Sequence, residues 1–173
     1  MAGNCIIDNG YELGCNSIGG VESVWIGTYD SVTTYTMGVT SSIVEGATGA
    51  NTVYKFEQDI EFAGLEQTGQ FSRENGTVFF ESVLSVKFIE LDSDLRNTLI
   101  ALSRAPLYAV VKANAGQYFI LGVESSGRAS EGVASLGIAQ GDMNGVTLSF
   151  TWKSPNGMFL LDETILGTDI PVG

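Results

Sequence analysis

The chain has 173 residues, of which 44% are hydrophobic and 16% charged, with 22 glycines, no histidine and a formal net charge of −12. That length suits one domain with a packed core, and the apolar content argues against intrinsic disorder. Without histidine there is no imidazole acid–base chemistry and no histidine metal ligand; few Lys and Arg disfavour a nucleic-acid reader, and no apolar run reaches the roughly 18 residues that suggest a membrane span.

Residues 1–15 lack a basic segment followed by a long apolar stretch and do not read as a secretory signal. Cys5 and Cys15 cannot close a four-ligand zinc site by themselves, and they read as two small thiols, with a disulfide left open. Residues 22–29 (ESVWIGTY) predict a short apolar strand after Gly19-Gly20, and residues 32–37 an exposed or edge strand rich in Thr and Tyr. Residues 38–50 (GVTSSIVEGATGA) are small and weakly patterned, and read as a loop or arm that orders against a partner. Residues 51–62 alternate, with Tyr54, Phe56, Ile60 and Phe62 on one side and Lys55, Glu57, Asp59 and Glu61 on the other. That pattern predicts one half-buried strand with an acidic outer face.

Residues 65–73 and 77–90 predict two strands joined at Glu74-Asn75-Gly76, whose Asn-Gly pair suits a tight turn with positive φ. Val78, Phe80, Leu84, Val86 and Phe88 line one face of the longer strand. Phe79, Val83 and Ile89 add apolar surface to the other face, which is expected to be covered by a helix or by another subunit. Leu91, Leu95, Leu99 and Leu102 recur at helical spacing, with Asp92 as cap and Pro106 as stop, so residues 91–105 predict a helix with its leucine stripe on a sheet. Strands resume at 107–112, 117–124, 128–140, 146–152 and 158–161. In the fourth of these Val146, Leu148, Phe150 and Trp152 alternate with Thr147, Ser149 and Thr151. Residues 167–173 read as a mobile tail.

The expected architecture is therefore mainly β, one antiparallel β-sandwich or open barrel of about nine strands spanning 1–173, with one flanking α-helix. Chemical motifs are thin. Asp142-Met143-Asn144-Gly145 begins like a calcium loop, but no acidic residue follows at the bidentate position, and a turn is the simpler reading. Glu57, Asp59 and Glu61 in a row do not make the facing carboxylate pair of a glycosidase. There is no G-x-S-x-G, S-x-x-K, G-x-G-x-x-G or Walker sequence. No catalytic, cofactor-binding or metal-binding residue is assigned, and the chain reads as a non-enzyme. Trp25 and Trp152, with the tyrosines, are either core or a sugar-binding platform.

The long strand at 77–90 leads straight into the helix at 91–105. The strands at 107–112 and 117–124 (QYFILGVE) and the segment 141–152 (GDMNGVTLSFTW) follow. This order resembles the tail-tube fold of tailed bacteriophages, shared with contractile-tail tubes, type VI secretion tubes and collar rings of some short-tailed phages. The segment 141–152 looks like parts of structural proteins of phages infecting Bacteroidetes, including crAss-like phages. The resemblance covers about residues 51–152. It implies a virion structural protein, assembled in the host cytoplasm, that forms a six- or twelve-fold homo-oligomeric ring of the tail tube or neck among other tail and neck proteins.

DNA would pass through such a ring without specific binding, and no cofactor or membrane is implied. An acidic bore repels phosphate, and Glu57, Asp59 and Glu61 are the expected lining; Phe79, Val83 and Ile89 are the expected subunit interface. Two rival readings are a β-sandwich that binds carbohydrate or a cell surface, and a head–tail joining or capsid-decorating protein.

Overall fold

The computed structural model describes residues 18–39, 42–89, 93–138, 142 and 144–173. Cys5, Cys15 and Asp92 lie outside the described residues. The elements run β1 (Val21–Thr28), β2 (Thr34–Met37), β3 (Ile43–Thr48), β4 (Val53–Glu57), β5 (Gly64–Ser72), β6 (Thr77–Ile89) and α1 (Ser93–Arg104). They continue with β7 (Leu107–Ala113), β8 (Tyr118–Leu121), β9 (Arg128–Ser135), β10 (Gly145–Ser154), β11 (Phe159–Leu161) and a 3₁₀ turn at Glu163–Ile165. Two sheets and one helix form the mainly β sandwich that the patterning predicts.

One sheet has seven strands in the order β2-β3-β11-β8-β7-β1-β4, and the other has four in the order β5-β6-β10-β9. All pairings between these strands are antiparallel except β11 with β3, which is parallel. The main core lies between the sheets. It takes Val24 and Ile26 from β1, Ala109 and Val111 from β7, Leu84, Val86 and Phe88 from β6, and Phe150 and Trp152 from β10. Because side chains alternate along a strand, β1 and β7 send their other residues, Trp25, Tyr108 and Val110, to the opposite face. That face has its own core with Val44, Ala47, Val53, Ile120, Leu161, Ile165 and Ile170, so the seven-stranded sheet is buried on both sides.

α1 closes one flank of the sandwich beside β9. Three of the four predicted leucines face the core, Leu102 buried in it and Leu95 and Leu99 packed against it, while Leu91 lies outside the described residues. Asp94 in the first turn and Arg104 in the last complement the helix dipole.

Three local expectations need correction. Within residues 38–50, read as an arm, Ile43–Thr48 is β3, whose Val44 is fully buried and which pairs with β2 and β11. The tail 167–173 is tied down: Ile170 is fully buried, Pro171 accepts from the Val53 amide at 2.8 Å, and Gly173 donates to the Val53 carbonyl at 3.0 Å. Residues 51–62 are not one strand. β4 ends at Glu57, and Asp59–Phe62 turns, with the Phe62 amide donating to the Asp59 carbonyl at 3.1 Å. A turn replaces the extended strand because Gln58 bonds elsewhere: its Oε1 accepts the Lys87 amide at 3.0 Å, pinning the exit of β4 to the base of β6.

Candidate functional site: the open face and flanks of the four-stranded sheet

The four-stranded sheet differs from its neighbour in having one face that no other element covers among the described residues. On β6 the even positions Ser82, Leu84, Val86 and Phe88 point into the core, and the odd ones point out. Phe79 is 37% exposed, Ile89 is 55% exposed and Val83 is half-buried, so the structure brings these three predicted interface residues to a single outward face. They are strung along the strand rather than clustered, since ten residues of strand span about 33 Å. Val133 of β9 adds to the face beyond Thr147.

Between these apolar residues sit charges in balance. The strand register places Glu66, Glu81 and Glu131 on the outward face with Lys87, Arg128 and Lys153. Lys153 lies 3.5 Å from Glu81 and stands over the Phe79 ring at 6.0 Å. Such exposed pairs contribute at most about 1 kcal/mol each. The hydroxyls of Ser85 and Ser149 meet at 3.1 Å across the middle of the face.

Among the described residues both edges of this sheet, β5 and β9, lack a strand partner on their outer side. An unpaired edge presents a row of free amides and carbonyls that a second chain can extend. β6 also outruns β10 at one end, so Thr77–Phe79 pairs with β5 alone and the hairpin overhangs the sandwich.

Glu57, Asp59 and Glu61, the predicted bore lining, are all exposed, but they do not form a row on one strand. Glu57 ends β4, the Asp59 carboxylate accepts the Ile60 amide at 2.7 Å, and Glu61 adopts φ 64°, a left-handed conformation that costs a non-glycine residue energy. Glu57 and Asp59 border a shallow hollow of about 240 Å³ with Lys87, Phe62 and Ile89. The Lys87 ammonium lies 5.5 Å from the centre of the Phe62 ring. One predicted lining pair thus adjoins one predicted interface residue at the base of β6.

A mainly apolar cleft is a feature that sequence reasoning missed. It has a volume of about 460 Å³ and lies between the end of β1, the edge strand β4 and α1. Ile26, Tyr54 and Phe56 form one wall, and Thr98, Ala101, Leu102 and Ala105 the other. The small residues Thr98, Ala101 and Ala105 share one helix face, a spacing that marks where a helix leaves room for something else.

Trp25 and Trp152 are both buried, and the Trp152 indole donates to the Leu107 carbonyl at 3.0 Å, so neither supplies an exposed platform. The Asp142 carboxylate accepts the Ile138 amide at 2.8 Å, a turn contact and not a calcium loop. Among the described residues no group of three or more acidic or cysteine side chains is placed to hold a metal ion. No helix among them is long and apolar enough to cross a membrane.

The shifted ionisations sit away from the open face. Burial pushes the Tyr35 hydroxyl up to about 12 and raises Tyr108 as well. A hydrogen bond to Glu22 raises Lys112, and hydrogen bonds from the Thr164 hydroxyl and amide lower Asp162. These are structural ties. No known family model matches the sequence, and none of the curated proteins matches it.

Proposed function

We propose that this chain is a virion structural protein that assembles into a homo-oligomeric ring of a phage tail tube or neck. One observation carries the reading: among the described residues no element covers the outward face of the four-stranded sheet, which holds Phe79, Val83 and Ile89 and is bounded by β5 and β9, whose outer sides have no strand partner. Edge pairing between copies is heterologous, because the β5 side of one subunit meets the β9 side of the next. Such contacts close into a ring when the rotation between subunits divides a full turn.

The bore is passive. The charges on the sheet face balance, but Glu57, Asp59 and Glu61 give one end of the subunit a surplus of carboxylate. Carboxylates turned toward a channel repel phosphate and offer no counterion release to hold it, so DNA slides without binding. Partners are other copies of the chain and neighbouring tail or neck proteins, with no cofactor.

Native mass spectrometry and negative-stain imaging of the purified protein across concentration test the proposal. Six- or twelve-fold rings are the expected result. A monomer that persists at high concentration, with no rings in particles either, refutes it.

A further inference from the structure

We infer that the aromatic knob at the tip of the β5–β6 hairpin seats in the α1–β4 cleft of a second copy of this chain. Phe71 is 70% exposed, the most exposed aromatic among the described residues. It does not dangle. Its ring lies so close over Gly69 that a Cβ there would sit 2.5 Å from it, and Phe80 meets it edge-on at 6.0 Å between centroids. The ring is held in place by its own hairpin and is open on its far side. Presenting an apolar ring already in a fixed pose lowers the ordering cost of binding.

The cleft is a fitting receptor. An apolar cavity of about 150 Å³ already accommodates benzene, and this one measures about 460 Å³. It has room for the ring and for Val78, which pairs with Phe71 across the hairpin and is 55% exposed. Glu74 in the hairpin turn is opposite in charge to Lys55 on the cleft wall, whose ammonium lies 3.4 Å from Glu57 in an exposed pair that it can exchange. Knob and cleft cannot meet within one subunit, because Phe71 rides on β5, one edge of the four-stranded sheet, and α1 packs beside β9, the opposite edge strand.

A patch and a matching pocket at different places on one molecule make a heterologous contact, which closes into a ring or runs on as a filament. Here the knob occupies the β5 flank and the cleft the β9–α1 flank, the two sides that edge pairing would join. The inference rests on the proposed ring and names the contact that sets its direction.

The test uses the full chain and two variants that each break one half, Phe71→Asp for the knob and Ala101→Trp for the cleft. Both positions are exposed, so a circular-dichroism melt is expected to match the wild type; Thr98→Trp is a second filler if Ala101→Trp does not. By sedimentation velocity each variant alone is expected to need at least tenfold more protein to assemble. An equimolar mixture pairs the intact knob of one with the intact cleft of the other and is expected to give dimers and nothing larger. Wild-type rings with variants that assemble equally well overturn the knob-and-cleft contact and leave the ring reading standing. Variants that fail to assemble but give no dimers on mixing also overturn it. A wild type that stays monomeric overturns both.

Discussion

The two sheets share a core yet obey different rules. In the seven-stranded sheet both faces are covered by the chain itself, through β2, β3, β11 and the C-terminal segment that folds back over Tyr108 and Val110. In the four-stranded sheet only one face is covered, and the other carries Phe79, Val83 and Ile89 among balanced charges. Folding buries most large side chains of the first sheet, although Met37, Tyr54 and Leu160 stay exposed. The second carries Phe79 and Ile89 exposed on a face that no described element covers. Under the proposed ring, the difference separates residues needed to fold from residues available for assembly.

Truncating a core residue should produce the largest effect. Phe150 is fully buried between the sheets, and Phe150→Ala should cost about 3–5 kcal/mol in urea unfolding. Ile120, fully buried on the other side of the seven-stranded sheet, should cost about 2–5 kcal/mol as Ile120→Ala. Phe79→Ala and Ile89→Ala should stay within about 1 kcal/mol of the wild type while shifting assembly to higher concentration in sedimentation. A comparable loss of monomer stability at Ile89 would erase the distinction between the sheets.

Removing residues 167–173 comes next. Ile170 is fully buried and the segment exchanges backbone hydrogen bonds with Val53. Losing one buried aliphatic side chain costs about 1.5–3 kcal/mol, which for a chain of this size lowers the melting temperature by roughly 4–12 °C. An unchanged melt would return the tail to the mobile segment that its composition suggests.

Gly127→Ala probes the seam between the sheets. A Cβ there would come within 2.2 Å of the Trp152 indole, itself fixed by its bond to Leu107. Overpacking of this kind costs about 1–3 kcal/mol, to be measured by thermal or urea unfolding.

How much of this was legible depends on whether a pattern is local. β10 could be read directly, since Val146, Leu148, Phe150 and Trp152 alternate with small hydroxyl residues and all four are buried. α1 and β6 were nearly as clear, because a leucine stripe and a long two-faced run leave few alternatives. β3 was illegible. Only Val44 and Ala47 of its six residues are buried, and the strand is held by a parallel pairing to β11 more than a hundred residues away. The tail hid for the same reason, with Ile170 as its one fully buried side chain. The acidic alternation at 51–62 was the opposite case, a local pattern overridden when Gln58 bonded to Lys87 and the chain turned. For the site, the sequence marked Phe79, Val83 and Ile89 by their extra apolar face. The cleft stayed hidden because its walls are brought together by tertiary packing.

The smallest expected effect comes from Tyr108, on the side of the seven-stranded sheet that faces away from the four-stranded one. Its ring is buried in the second core, and its hydroxyl donates to the Asn51 carbonyl just before β4. Tyr108→Phe keeps the ring and removes that bond, for a cost of about 1 kcal/mol. Burial raises the hydroxyl pKa above its ordinary value, as it does for Tyr35. A raised value means that the folded state holds the proton more tightly than the unfolded chain. The corresponding stability is therefore fully present below pH 10 and is lost as the pH climbs from 10 through the folded value. Urea unfolding of the wild type should weaken steadily across pH 10–12, and Tyr108→Phe should weaken less steeply over the same interval. Equal slopes would mean that the Tyr108 hydroxyl ionises as freely in the fold as outside it, and would overturn the raised value that burial gives it.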